Sequence, residues 1–429
     1  MRLCKALLLL LVIGTGAGCS GGGGGGGGSN GSPPTPACIA GVSTSNTSNT
    51  SPTPASGDNV VRVTVNGDLC SAGSYLNKPC VQVTVCTPGS TLNCQTISDI
   101  LLDTGSYGLR IFKQLLTMPL NQVVSGSGSL GECVTFGDNS STWGPVQRAD
   151  IMLGNERANN VPIQVIDATT FFASNLSAVC PGADLSPYND GARSPGYSGI
   201  LGVGSFIQDC GSFCTTSIPT PPLYYTCSGS NCTPTTVPLA NQVQNPVALL
   251  PNDNNGVVVQ LPAVGPDGQP SADGSLLLGI GTQANNIPVS VAPYPVDSGG
   301  NIITVFNNAQ YTDSFLDTGS NGLFFPPIPS LPACQGQSQG NYWFCPSSPV
   351  CLSALTEGAT GMPTSQDTFQ IGNFFNLLTS NPSNRVFPDI GGNYVTFDWG
   401  LPFFLGRSVY IGIEGKASPY LGTGPYFAY

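Results

Sequence analysis

Histidine is absent from all 429 residues, and charged residues make up only 8% of them. Without imidazole, Ser-His-Asp and Cys-His catalysis are excluded, and a zinc hydrolase site loses its commonest ligand. Any hydrolytic chemistry must then use carboxylates, hydroxyls, lysine or tyrosine. The shortage of Lys, Arg and Glu also removes the material of long amphipathic helices. With Lys+Arg 12 against Asp+Glu 23, the formal net charge is −11. A chain so acidic and so poor in cations is not built to bind nucleic acid. Few basic groups are present to build up positive self-repulsion as pH falls, which suits an acidic or external setting.

What is abundant is glycine, 56 residues, and proline, 38. They punctuate short β-branched runs, and that pattern predicts an all-β fold. Val60 to Val65 and Val81 to Val85 alternate by two, as half-buried strands do. Cys133 to Asp138, a polar turn, and Val146 to Leu153 read as a hairpin. Ser198 to Gly204 is an apolar run broken by glycines, and glycine within a strand marks close approach by another backbone. Ser205 to Pro238 reads as an irregular surface excursion. Strands resume at Val257 to Val259 and at Gly274 to Gly279, and Val409 to Ile413 and Tyr426 to Tyr429 read as the last ones.

The N-terminus carries Arg2 and Lys5, the apolar run Ala6 to Ile13, and then small residues. This is the pattern of a secretory signal, and the apolar run is too short to span a membrane. Gly16-Ala17-Gly18-Cys19 resembles a bacterial lipoprotein cleavage box, with Cys19 as the lipidated residue. Eight glycines, Gly21 to Gly28, and a Ser/Asn/Thr/Pro stretch to about Gly57 follow, a tether with nothing to bury. Setting Cys4 and Cys19 aside, 14 of the 16 cysteines remain, and in an exported chain disulfides are the default. Cys86/Cys94, Cys210/Cys214, Cys227/Cys232 and Cys345/Cys351 are each spaced to close a short loop. No histidine and no paired C-x-x-C accompanies them, so no metal is implied.

One motif occurs twice. Ile100-Leu101-Leu102-Asp103-Thr104-Gly105-Ser106 is matched by Phe315-Leu316-Asp317-Thr318-Gly319-Ser320, with Asp317 214 residues after Asp103. Each copy is followed by a Gly-Leu pair, Gly108-Leu109 and Gly322-Leu323. A strand that delivers an aspartate onto a glycine-containing turn, made twice, predicts two carboxylates brought face to face. Such a pair, sharing one proton, is an acid–base device.

These loops resemble those of the pepsin-like aspartic proteases, in which an apolar-apolar-Gly strand follows each Asp loop and crosses beneath it. Gly202 and Gly406 stand at the matching positions, 99 and 89 residues after Asp103 and Asp317. The wording Asp398-Trp399-Gly400-Leu401-Pro402-Phe403-Phe404-Leu405-Gly406-Arg407 looks more like a group of bacterial lipoproteins than a eukaryotic pepsin. The resemblance implies a bilobal fold, each lobe a β-barrel-like assembly. With the N-terminal reading of a signal peptide (1–18) and a lipidated Cys19 with tether (19–57), it divides the rest of the chain into an N-terminal lobe (58–204), an interlobe region (205–273) and a C-terminal lobe (274–429). It implies an aspartic endopeptidase without cofactor, acting on an extended peptide or unfolded protein. The location implied is the bacterial cell envelope, with a lipid anchor to the outer membrane or cell surface.

By the same resemblance, Asp103 and Asp317 hold one water, Thr104 and Thr318 cross-link the loops, Gly105 and Gly319 allow close approach, and Ser106 and Ser320 bond the outer carboxylate oxygens. The family's flap tyrosine is replaced: Phe136 precedes Gly137, with Trp143 nearby. Arg110 stands where a tryptophan usually supports that flap. Arg110 and Arg407 are each candidates for surface charge or substrate contact. The altered flap and the Cys/Pro-rich insertions leave an alternative, a non-catalytic surface lipoprotein that binds peptide or a cell-envelope partner in the same cleft.

Overall fold

The structure is a computed structural model that describes residues 51–168, 171, 173–183, 196–336 and 342–429. The residues read as a signal peptide, Cys19 and most of the stretch read as a tether lie outside the described residues. The fold is all-β: strands carry the chain, and among the described residues the longest helix, Phe374–Ser380, has 7 residues.

In the N-terminal half, Pro79–Cys86 pairs antiparallel with Cys94–Asp103, and a Cys86–Cys94 disulfide closes the hairpin end. Alternation places Val81, Val83, Val85, Ile100 and Leu102 in the main core. Gly199–Val203 lies parallel to Cys94–Asp103, with Gly202 opposite Asp103, and antiparallel to Tyr107–Phe112 on its other side. The C-terminal half repeats this with shorter strands. Ala309–Leu316 leads into Asp317 and lies parallel to Asp398–Trp399, which pairs antiparallel with Leu323–Phe325.

The second crossing strand is therefore not the run ending at Gly406. That run forms the short helix Leu401–Phe404, and Gly406 follows it with φ +80°. The crossing strand is Asp398–Trp399, running into Gly400. A Cβ on Gly400 would stand 2.0 Å from the Gly322 carbonyl oxygen, and one on Gly202 2.6 Å from the Tyr107 nitrogen. Glycine is needed at both crossings because the backbones touch.

A six-stranded antiparallel run joins the halves. Its order is Val60–Val65, Ala272–Leu278, Gly256–Gln260, Ser408–Gly412, Tyr426–Ala428 and Pro293–Pro295. Both ends of the described chain thus enter one sheet. Even residues 51–57, read as tether, touch it: the Ala55 N–H donates to Ser275 Oγ at 2.8 Å.

Cys210–Cys214 and Cys227–Cys232 are disulfide-bonded, but Cys345 pairs with Cys334 rather than Cys351. Cys351 is itself disulfide-bonded. Cys70–Cys80 and Cys133–Cys180 complete the six bridges between described cysteines. The stretch from Ser205 to Pro238 is not simply a surface excursion. Its strand Tyr224–Ser228 extends the sheet along Gly128–Thr135, and Tyr224 and Tyr225 are buried.

Arg110 is fully buried rather than a surface charge. Its guanidinium reaches Glu132 at 3.1 Å and Asp209 at 3.2 Å, and Tyr224 donates its hydroxyl to Asp209 at 2.6 Å. Arg407 is mostly buried too, over the Phe403 ring and 3.4 Å from Asp367. Removing Arg110 would leave two acids in the core without their cation, and an uncompensated buried charge is worse than no charge. Arg110→Ala should lower unfolding free energy by about 3–5 kcal/mol in urea titration. A loss under about 1 kcal/mol, the worth of an exposed pair, would show that the network carries no such weight.

Candidate active site

Each aspartate sits where a strand ends and a tight turn begins. In both turns the third residue's amide folds back on the carboxylate: Gly105 N–H donates to Asp103 Oδ1 and Gly319 N–H to Asp317 Oδ1, each at 2.7 Å. The loops then lock to each other through their threonines. Thr104 Oγ1 donates to the Leu316 carbonyl at 3.0 Å and accepts the Thr318 N–H at 3.0 Å. Thr318 Oγ1 donates to the Leu102 carbonyl at 2.7 Å and accepts the Thr104 N–H at 3.1 Å. Four bonds with this exchange symmetry fix the distance between two loops remote in sequence.

The cross-bonding brings the carboxyls into hydrogen-bonding reach of each other. Glycine makes the approach possible: a Cβ on Gly105 would lie 2.7 Å from Asp317 Cγ, and one on Gly319 2.9 Å from Asp103 Cγ. Both aspartates have 0% exposure. Burial first, and Asp317 second, push the Asp103 carboxyl well above the usual carboxylate range, although Ser106 and the Gly105 amide pull the other way. Two desolvated carboxyls at this range cannot both ionise readily, so their protons leave in steps that belong to the pair.

The outer oxygens differ. Ser106 Oγ donates to Asp103 Oδ2. Ser320 Oγ lies 2.7 Å from Asp317 Oδ2 and also 2.6 Å from Asp398 Oδ2. A hydroxyl has one proton to give, so a proton must reside on Asp317 or Asp398 for both contacts to be hydrogen bonds. Asp398 escapes sequence reasoning because the apolar-apolar-Gly template points past it to Gly406. The signal that could have found it is Gly400, the first glycine after Phe397 and Trp399, the two apolar residues that flank Asp398.

The hairpin of Gly128–Thr135 and Ser141–Leu153 turns at residues 136–140. Phe136 is buried with Leu101, on the strand that delivers Asp103, and with Ile200, on the strand that crosses beside it, and Gly137 is half-buried in the turn. Asp138, next in the turn, has its carboxyl raised by burial. Trp143 is not at this place: it packs on Phe171 and Tyr225, and its Nε1 donates to the Phe171 carbonyl at 2.8 Å. Sequence reasoning also missed Tyr75, whose hydroxyl donates to the Gly319 carbonyl at 2.9 Å.

Raised carboxyls tie stability to pH. A folded pKa above the unfolded one gives stability that is complete below the unfolded value and lost as pH climbs through the folded one. Burial raises Asp389 from 3.8 to about 7, and Asp103 and Glu132 move in the same direction. The melting temperature should therefore rise on acidification across the window from 3.8 to about 7 set by Asp389. Asp389→Asn should flatten that rise in thermal melts, and an unchanged slope would remove Asp389 from the account.

Among solved structures, the chain is similar to the crystal structure of an aspartic proteinase from Irpex lacteus, at 17% identity and a TM-score of 0.47, covering 86% of this chain and 96% of that one. No curated protein matches it. A family model described as "Protein of unknown function (DUF3443)" matches residues 55–429, and the chain belongs to that family.

Proposed function

We propose that the protein is an aspartic endopeptidase that hydrolyses peptide bonds with a water activated between Asp103 and Asp317. The observation that carries this reading is the exchange-symmetric cross-bonding of the two Asp-Thr-Gly-Ser loops around a desolvated carboxyl pair. A pair that merely capped two strands would need neither the reciprocal threonine bonds nor the glycines that let each carboxyl touch the other loop.

In this mechanism one carboxyl is ionised and the other protonated. The ionised group takes a proton from the water as its oxygen attacks the scissile carbonyl carbon. The protonated group donates to the carbonyl oxygen, which gives a neutral gem-diol. The carboxyl that now holds the proton gives it to the amide nitrogen. The other takes a proton from a gem-diol hydroxyl as the C–N bond breaks to release acid and amine, and the pair ends with one proton, as it began. The substrate is an extended peptide or unfolded protein, laid between the hairpin turn at Phe136 and Gly137 and the two loops. Disulfides suit an exported protein. No helix among the described residues is long and apolar enough to cross a membrane. Attachment through a lipidated Cys19 to the bacterial envelope is part of the same proposal and rests on the N-terminal sequence alone.

Full burial of both carboxyls favours a second reading, a non-catalytic peptide-binding lipoprotein. One experiment separates the two: cleavage of an unfolded protein across about pH 3 to 7 by wild type, Asp103→Asn and Asp317→Asn. Loss of one acid–base group should lower the rate by about 10²- to 10⁴-fold in either variant. Equal activity in all three, or tight pH-insensitive peptide binding with no turnover by wild type, would remove the endopeptidase reading.

A further inference from the structure

The loop between Val60–Val65 and Pro79–Cys86 is closed at its base by the Cys70–Cys80 disulfide. Its tip does not stay with its own half of the molecule. Tyr75 is buried among Leu101, Phe136, Tyr197 and Ile200, the apolar pocket between the hairpin turn and the first Asp loop. Leu101 lies two residues before Asp103 on the same strand, so the two side chains share a face. The Tyr75 hydroxyl crosses to the second Asp loop and takes the Gly319 carbonyl. Both Asp317 and Asp103 act on its phenol, which burial pushes well up.

The next residues continue across. Leu76 joins the C-terminal cluster of Phe324, Trp343, Phe374 and Phe387. The Asn77 side chain donates to the Asn321 and Phe387 carbonyls, both at 2.8 Å, and accepts the Phe387 N–H at 2.7 Å. Lys78 fixes the far end, with Nζ 2.8 Å from Asp99 and 2.8 Å from the Gly196 carbonyl.

We propose that the disulfide-closed loop Cys70–Cys80 is a built-in occupant of the cleft, with Tyr75 filling the side-chain pocket beside Asp103, and that a peptide reaches the Asp pair only when this loop withdraws. The chemistry Tyr75 satisfies defines what replaces it: a large aromatic or apolar side chain with a hydrogen-bond donor near it to take the Gly319 carbonyl. A buried carbonyl left without a donor costs free energy, so an entering ligand must supply both parts at once. This inference rests on the endopeptidase reading for its consequence, but the covering of the carboxyls can be measured without catalysis.

The test is carboxyl labelling of the full chain by a water-soluble carbodiimide with glycine ethyl ester, with peptide mapping at Asp103 and Asp317. Near-UV circular dichroism checks the fold of each protein. Tyr75→Ala should label at least about tenfold faster than wild type, because pocket and hydrogen bond are both lost. Tyr75→Phe, which loses only the bond to Gly319, should label about fivefold faster. If Tyr75→Ala fails to fold, Tyr75→Phe decides alone. Equal labelling of folded variants and wild type overturns the proposal. A failed cleavage experiment would defeat the hydrolase reading while leaving faster labelling, and with it the covering loop, in place.

Discussion

Two carboxyl groups taken out of water and held against each other are the constraint on which the rest of this structure depends. Left alone they would separate, because two charges of one sign at close range in a dry site repel strongly. The threonine cross-bonds prevent this by fixing the backbones that carry them. Each threonine hydroxyl gives its proton to a carbonyl of the opposite strand and accepts the amide of the opposite threonine, two residues further on. The loops therefore cannot drift apart without breaking four buried hydrogen bonds. What remains adjustable is the proton, and an adjustable proton in a rigid frame is the requirement of acid–base chemistry.

The larger architecture serves that frame. Each Asp-bearing strand has a parallel partner crossing beside it, Gly199–Val203 in one half and Asp398–Trp399 in the other, and the six-stranded run joins the halves below. The two crossings are not equivalent. The first is apolar and contributes packing. The second places a carboxyl, Asp398, on the hydroxyl that also serves Asp317. An approximately two-fold frame thus presents chemically different surroundings to its two aspartates, and a pair that divides labour between base and acid needs such a difference.

The fold class and the Asp pair were legible because they are local signals. Period-two alternation marks strands wherever it occurs, and a repeated Asp-Thr-Gly-Ser carries its turn geometry with it. Gly202 was legible for the same reason, as a glycine inside an apolar strand. The second crossing was misplaced because two glycines, Gly400 and Gly406, flank an apolar run. Only the register of the strands shows that the run between them is a helical turn. Arg110, Tyr75 and Cys345 share another kind of difficulty. Arg110 is paired to acids 22 and 99 residues away, and Tyr75 to a carbonyl 244 residues away. Cys345 takes Cys334, 11 residues back, rather than Cys351, which is itself disulfide-bonded. Composition and spacing hold no record of such pairings, which are decided by packing. The same kind of long-range pairing places a phenol, that of Tyr75, near the carboxyls from the loop between the first two strands.

The most direct measurement of the central claim is an infrared titration of carboxyl protonation, wild type against Asp103→Asn. The account predicts a protonated-carboxyl band that persists well above about pH 4, the ordinary range for aspartate, and that changes in the variant because the pair has been broken. A difference spectrum showing Asp103 losing its proton in the ordinary range, in one step and with no effect on a second carboxyl, would contradict it. The two aspartates would then be neighbours in space without sharing a proton.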